Sequence, residues 1–148
     1  KYKGFEVNLL FQGVGKYSKT ISGVGAYESE YQGVFTDLHL KAWTPERWNN
    51  GEEVTYPALS LKASTNHQPN SFFIMDASYL RLKNAEIAYT LPLNTSKKVF
   101  AEKIRFSLSG QNLFTIDNMR SKHIDPEIAN MGTFQPYRVY NIGVSLTF

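Results

Sequence analysis

The last twelve residues constrain this chain more than any other stretch. Between Tyr137 and Phe148, the residues Tyr140, Ile142, Val144, Leu146 and Phe148 share one parity, while Val139, Asn141, Gly143, Ser145 and Thr147 share the other. Successive side chains of a strand point to opposite faces, so a period of two defines a strand with one apolar face and one small, mostly polar face. A helix, which turns about 100° per residue, cannot separate these two sets.

The same alternation returns three times. Residues 103–115 place Ile104, Phe106, Leu108 and Phe114 against Arg105, Ser107, Ser109, Gln111 and Thr115, with Gly110 and Asn112 interrupting the apolar side. Residues 79–91 place Ala85, Ile87, Tyr89 and Leu91 against Asn84, Glu86, Ala88 and Thr90, with Arg81 in the apolar register, where its charge must sit outside hydrocarbon. Residues 4–13 place Phe5, Val7, Leu9 and Phe11 against Glu6, Asn8, Leu10 and Gln12. Each run has about the 9 to 11 residues that a tilted strand needs to cross a bilayer. The 9 Tyr and 10 Phe suit pleated strands with aromatic residues at their boundaries, and demote an all-helical reading.

A soluble sheet also alternates, so the connections decide between the two. Long structureless loops are uncommon in compact soluble domains, whereas short periplasmic turns alternating with long external loops characterise outer-membrane barrels. Here residues 92–102 form a short connection, while residues 14–78 and 116–136 form long ones. If Phe148 ends at the periplasmic rim, both long connections are external. The expected fold is therefore all-β: four antiparallel strands, at about 4–13, 79–91, 103–115 and 137–148, ending a large transmembrane β-barrel that occupies residues 1–148. Four strands do not close a barrel, so more chain belongs to the functional unit, and the start at Lys1 reads as internal.

Several chemistries find no support. There is no cysteine, hence no disulfide or thiolate site, and the net charge of +3 comes from scattered Lys and Arg without a run that would read as a nucleic-acid patch. No G-x-S-x-G turn marks a serine nucleophile, and Gly13-Val-Gly15 and Gly23-Val-Gly25 read as strand-end turns. His123, Asp125 and Glu127 cluster without a second motif to complete a metal shell, and read as a solvated loop. Asn94-Thr95-Ser96 reads as turn chemistry, and Lys97, Lys98 and Lys103 as a solvated rim. No enzyme activity, metal or cofactor is expected.

Several short motifs together resemble the end of SusC/RagA-type TonB-dependent outer-membrane transporters. They are Trp43-Thr-Pro-Glu46, Tyr56-Pro57, Asp76-Ala-Ser-Tyr-Leu-Arg-Leu-Lys-Asn84 with Ala88-Tyr-Thr-Leu-Pro92, Gly110-Gln-Asn-Leu-Phe-Thr115, Asp125-Pro-Glu127 and the ending from Arg138 to Phe148. Ala88 departs from the family's usual Gly, and His123-Ile124 from its usual Gly and aromatic. The resemblance implies a bacterial outer-membrane importer of glycans or oligopeptides, energised through TonB. It implies as partners the rest of the barrel and its plug, a SusD-type surface lipoprotein, outer-membrane lipid, and the barrel assembly machinery during biogenesis. Two other readings compete with it: a structural or partner-binding SusC-like barrel in an assembly or secretion complex, and a soluble β-rich binding module or enzyme.

The residues expected to carry these roles follow. Phe5, Val7, Leu9, Phe11, Ile87, Tyr89, Ile104, Phe106, Leu108, Tyr140, Ile142 and Val144 would face lipid, and Asn84, Arg105 and Gln111 would face the lumen. Trp43, Trp48, Tyr56, Phe72 and Phe73 would offer aromatic contacts to a ligand or partner in the first external loop, although such rings more often pack the loop itself. Asn141, Gly143, Leu146 and Phe148 match the barrel-assembly signal, a terminal strand that adds to an exposed edge through backbone hydrogen bonds. Deleting Phe148 from the full-length protein is therefore expected to lower its level in the outer membrane, measured by immunoblot of membrane fractions; an unchanged level would remove the assembly role.

Overall fold

The computed structural model describes residues 2–128 and 132–148; residues 129–131 of the second long connection lie outside the described set. Four long strands, β1 (Phe5–Val14), β4 (Tyr79–Thr90), β5 (Lys103–Asp117) and β6 (Val139–Thr147), form one sheet in the order β1-β4-β5-β6. Two short strands, β2 (Ser18–Thr20) and β3 (Ile74–Asp76), pair antiparallel with Lys19 opposite Met75. The chain divides into two compact units. One comprises Lys1–Gly13, Leu80–Ile116 and Pro136–Phe148; the other comprises Val14–Tyr79 and Asp117–Gln135.

The sheet unit sorts its side chains by register. In the antiparallel β5–β6 pair, Ile104 stands opposite Leu146, Phe106 opposite Val144 and Leu108 opposite Ile142. On the other face Arg105 meets Ser145, Ser107 meets Gly143 and Ser109 meets Asn141. A slip of one residue would bring apolar against polar throughout, so the sequence pattern fixes this pairing. The short connection is helical: α2 (Leu93–Ser96) runs into a 3₁₀ turn at Lys97–Val99, ended by Phe100 in the left-handed region at φ 57°. Asn94-Thr95-Ser96 thus lies within a helical turn, and Lys97, Lys98 and Lys103 are exposed beside it.

Strict alternation breaks at two places in this unit. Asn112 takes a left-handed φ of 51° and its Nδ2 donates to the Tyr137 carbonyl at 3.0 Å. Leu113 then lies over Gly110, where an added Cβ would approach its Cδ2 to 2.4 Å. The apparent hole at Gly110 is therefore filled from three residues away. Arg81 is 1% exposed and its Nε donates to Thr115 Oγ1 at 2.9 Å, while the neighbouring Leu80 is exposed. A hydrogen-bonded burial thus satisfies the guanidinium within the protein.

The second unit is more than a loop. Ile21, Ala26, Leu38, Ala42, Tyr56, Phe73, Met75, Ala77, Met119 and Ile124 form its core, with Tyr27 and Phe72 packed against them. Residues Asp37–Lys41 form a 3₁₀ helix. Trp43-Thr-Pro-Glu46 starts the short helix α1 (Pro45–Asn49): Thr44 Oγ1 accepts from Arg47 N at 3.1 Å, and Pro45 occupies the first turn, where no hydrogen-bond donor is needed. The Asp125-Pro-Glu127 motif ties the second long connection to the first. Glu127 accepts from Tyr79 Oη at 2.8 Å, its carbonyl accepts from Lys19 Nζ at 2.5 Å, and Ile124 enters the core. Among the described residues no His, Cys, Asp and Glu group is placed to hold a metal ion.

A buried carboxylate organises this core. Glu28 is fully covered and accepts from Tyr56 Oη at 3.0 Å and from the Ser60 amide at 2.9 Å, with His67 Nε2 at 2.8 Å. His67 Nδ1 faces the Ser64 amide at 3.4 Å, and its ring stacks on Tyr31 at 3.9 Å between centroids. Burial alone would raise the Glu28 carboxyl, but these hydrogen bonds outweigh it and hold it below the ordinary 4.5. Burial and the same carboxylate push the Tyr56 hydroxyl upward. A depressed carboxyl contributes stability above its unfolded pKa and loses it as pH falls through the folded one. Glu28→Gln is expected to cost the unit about 1–3 kcal/mol at neutral pH, and to remove its loss of protection on acidification below the ordinary carboxylate range. Hydrogen exchange of residues 26–67 in the full-length protein checks this; unchanged protection at pH 7 would contradict it.

Candidate functional site

The sheet unit presents two chemically different faces. Phe5, Val7, Leu9 and Phe11 on β1, Ile87 on β4, Phe106 and Leu108 on β5, and Tyr140, Ile142 and Val144 on β6 are exposed, with Ile142 at 86%. Tyr89 is half-buried and stacks on Phe5 at 4.5 Å between centroids. Ile104 departs from the expectation: it is only 7% exposed, near the turn where Ser96 and Ala101 are also buried. Exposed apolar side chains gathered on one face in this way mark a surface that meets a membrane or a partner.

The polar side brings together two of the three lumen candidates. Asn84 and Gln111 line one concavity of about 430 Å³ with Asn8, Glu86 and Ser109, although Leu9, Leu10, Ala85 and Gly110 also border it. Arg105 is held by an ion pair from its Nη2 to Glu86 Oε1, both half-buried. Sequence reading missed Glu86 as a site residue. The signal was available, since Glu86 and Arg105 lie on the polar parities of strands that proved adjacent.

The five aromatic candidates of the first long connection separate. Tyr56 and Phe73, each 2% exposed, are core residues and do not offer free faces, which corrects their expected contact role. Tyr56 is held there by Glu28 and by the Ala26 carbonyl, which accepts from its Oη at 3.0 Å. Trp43 and Trp48 are exposed on the two sides of Thr44-Pro45-Glu46-Arg47. Phe72 is half-buried and carries the Arg120 guanidinium over its ring, 4.4 Å from the centroid. Arg120 and Phe72 line a pocket of about 320 Å³ with Leu38, Glu53, Val54 and Thr55. Nearby, Asp37 binds Ser121 Oγ and the Lys122 amide; burial would raise its carboxyl, but these bonds hold it below 3.8. No sequence pattern singled out Arg120.

Comparison with known proteins resolves what these faces belong to. No family model matches the chain. Over its whole length, however, the chain is 30% identical to the TonB-dependent receptor P3 of Formosa agariphila, and over 88% of its length it is 30% identical to the TonB-dependent receptor P26 of the same organism. Its fold matches the RagAB peptide importer in the closed-closed state with a TM-score of 0.68 at 23% identity, covering 99% of the chain. The open-open state gives 0.65 at 22% identity and 98% coverage. The chain belongs to the TonB-dependent receptors. It spans 15% and 13% of the length of the two relatives and 16% of the RagAB chain in either state. It is thus part of a multi-pass β-barrel of the bacterial outer membrane.

In that setting the bare apolar face is the one to test. Arg or Lys at the bilayer midplane of a barrel's lipid face costs about 2–4 kcal/mol, whereas lumen positions tolerate charge. Ile142→Arg in the full-length receptor is expected to lower its heat-stable, folded fraction in outer membranes by this amount, and Gln111→Arg to leave it near wild type. Equal levels for Ile142→Arg and wild type, read by semi-native gel mobility, would show that this face does not meet lipid.

Proposed function

We propose that this chain is part of an active importer of oligopeptides or glycans across the outer membrane, energised through TonB and working with a SusD-type surface lipoprotein. The observation that carries the reading is whole-length 30% identity to a TonB-dependent receptor, on a sheet whose cross-strand register separates a bare apolar face from a polar one. The likeness to the RagAB peptide importer supports a membrane barrel of the same build. In this reading the sheet supplies wall to the barrel. Asn84, Arg105 and Gln111 line its interior. The two long connections, residues 14–78 and 116–136, are external loops, where Trp43 and Trp48 meet cargo or lipoprotein. Asn141, Gly143, Leu146 and Phe148 direct assembly.

Uptake in the native host tests the proposal. Deleting the gene for the full receptor is expected to abolish accumulation of either labelled oligopeptides or labelled oligosaccharides, and collapsing the proton gradient of the intact strain should do the same. Arg105→Ala combined with Asn84→Ala is expected to lower that uptake several-fold at an unchanged outer-membrane level. Undiminished uptake of both cargo classes in the deletion strain would refute import.

A further inference from the structure

The pocket at Leu38, Glu53, Val54, Thr55, Phe72 and Arg120 is chemically lopsided. Leu38, Val54 and Phe72 give it apolar walls. Thr55 Oγ1 is committed to the Leu38 carbonyl at 2.8 Å, and Glu53, at the rim, is held in an ion pair by Lys41. That pair neutralises itself. Arg120 is left as the cation of the pocket, with its Cζ 4.4 Å from the Phe72 ring centroid and its Nη2 donating to the Phe72 carbonyl. Among the described residues no carboxylate pairs with it, although it is partly desolvated, and that desolvation works against its charge.

A guanidinium offers five N–H donors in a planar fork, and this one uses a single donor and one ring face. The cation–π contact with Phe72 and the bond to its carbonyl hold the side chain in place, so binding another group would cost little further ordering. A planar carboxylate matches the remaining edge with two parallel hydrogen bonds, a stronger arrangement than neutral partners make. The volume, about 320 Å³, lies at the low end for small-molecule sites and suits one residue-sized unit of a larger ligand.

We propose that this pocket binds an organic carboxylate, with Arg120 taking the carboxylate group and Leu38, Val54 and Phe72 seating the apolar body attached to it. That the ligand is cargo rests on the import reading above; the binding itself does not. Two sources supply this chemistry, the free or acidic carboxylate of an oligopeptide and the uronic acid of a glycan.

The test is direct binding to the full-length receptor purified in detergent with any lipoprotein that accompanies it. Isothermal titration uses two probe pairs: a hexapeptide with a free C-terminal carboxylate against its amide, and tetragalacturonate against its methyl ester. The carboxylate form of one pair is expected to bind about tenfold more tightly than its neutral partner, as a two-pronged charged bond would give. The pair that shows this identifies the source. Arg120→Gln should abolish the preference and Arg120→Lys retain part of it. If protease digestion shows Arg120→Gln to be misfolded, Phe72→Leu carries the test, with a reduced preference expected because the guanidinium loses its platform. No preference in either pair, or a preference untouched by these substitutions, overturns the site. Binding without uptake would instead sink the import reading and leave the site standing.

Discussion

Everything in the sheet unit depends on backbone hydrogen bonds that must be closed within the chain of strands. In hydrocarbon no water is available to an unpaired amide or carbonyl, so strands cross a membrane only as a closed barrel. Here β4 and β5 are paired on both sides, while β1 and β6 are the sheet's edges. Their free edges demand neighbouring strands, which agrees with a chain that spans about one-sixth of the solved RagAB chain. The same constraint explains why the register is strict. Phe106 with Val144 and Leu108 with Ile142 hold apolar side chains together, and no pair can shift by one residue without moving Arg105 onto the apolar face.

The second unit solves the opposite problem, being a long connection that is stable by its own core. Tyr56, Phe73 and Met75 supply apolar bulk, but the arrangement is specified by polar groups: Glu28 gathers Tyr56, Ser60 and His67 from one stretch that lies 28 to 39 residues further along the chain. A buried carboxylate with fewer partners would be costly, so the segments that complete it must arrive together. Ser121 and Lys122 on Asp37, and Tyr79 on Glu127, extend the same logic to the second connection. The pocket walled by Phe72 and Arg120 inherits its shape from that frame.

Much of the sheet was legible in the sequence, because a period of two maps directly onto two faces. It was legible only while the strand stayed regular. At Asn112 a left-handed residue brought Leu113 over Gly110, and at Arg81 the charge was satisfied inside by Thr115; parity carries no record of either. Ile104 kept its apolar partner Leu146 yet is covered near the turn, since burial depends on what lies above a face and not on alternation.

The sequence by itself determined that the chain forms antiparallel strands with one apolar face, and, through its motifs, the kind of barrel to which they belong. Those properties are local: each strand's pattern and each cap, such as Thr44 before Pro45, is written within a few residues. Only the tertiary structure decided that Tyr56 and Phe73 are core, that Glu28 is their organiser, and that Arg120 stands over Phe72. These contacts join residues 28 to 67 and 72 to 120, and at such separations composition and spacing do not say which side chains meet.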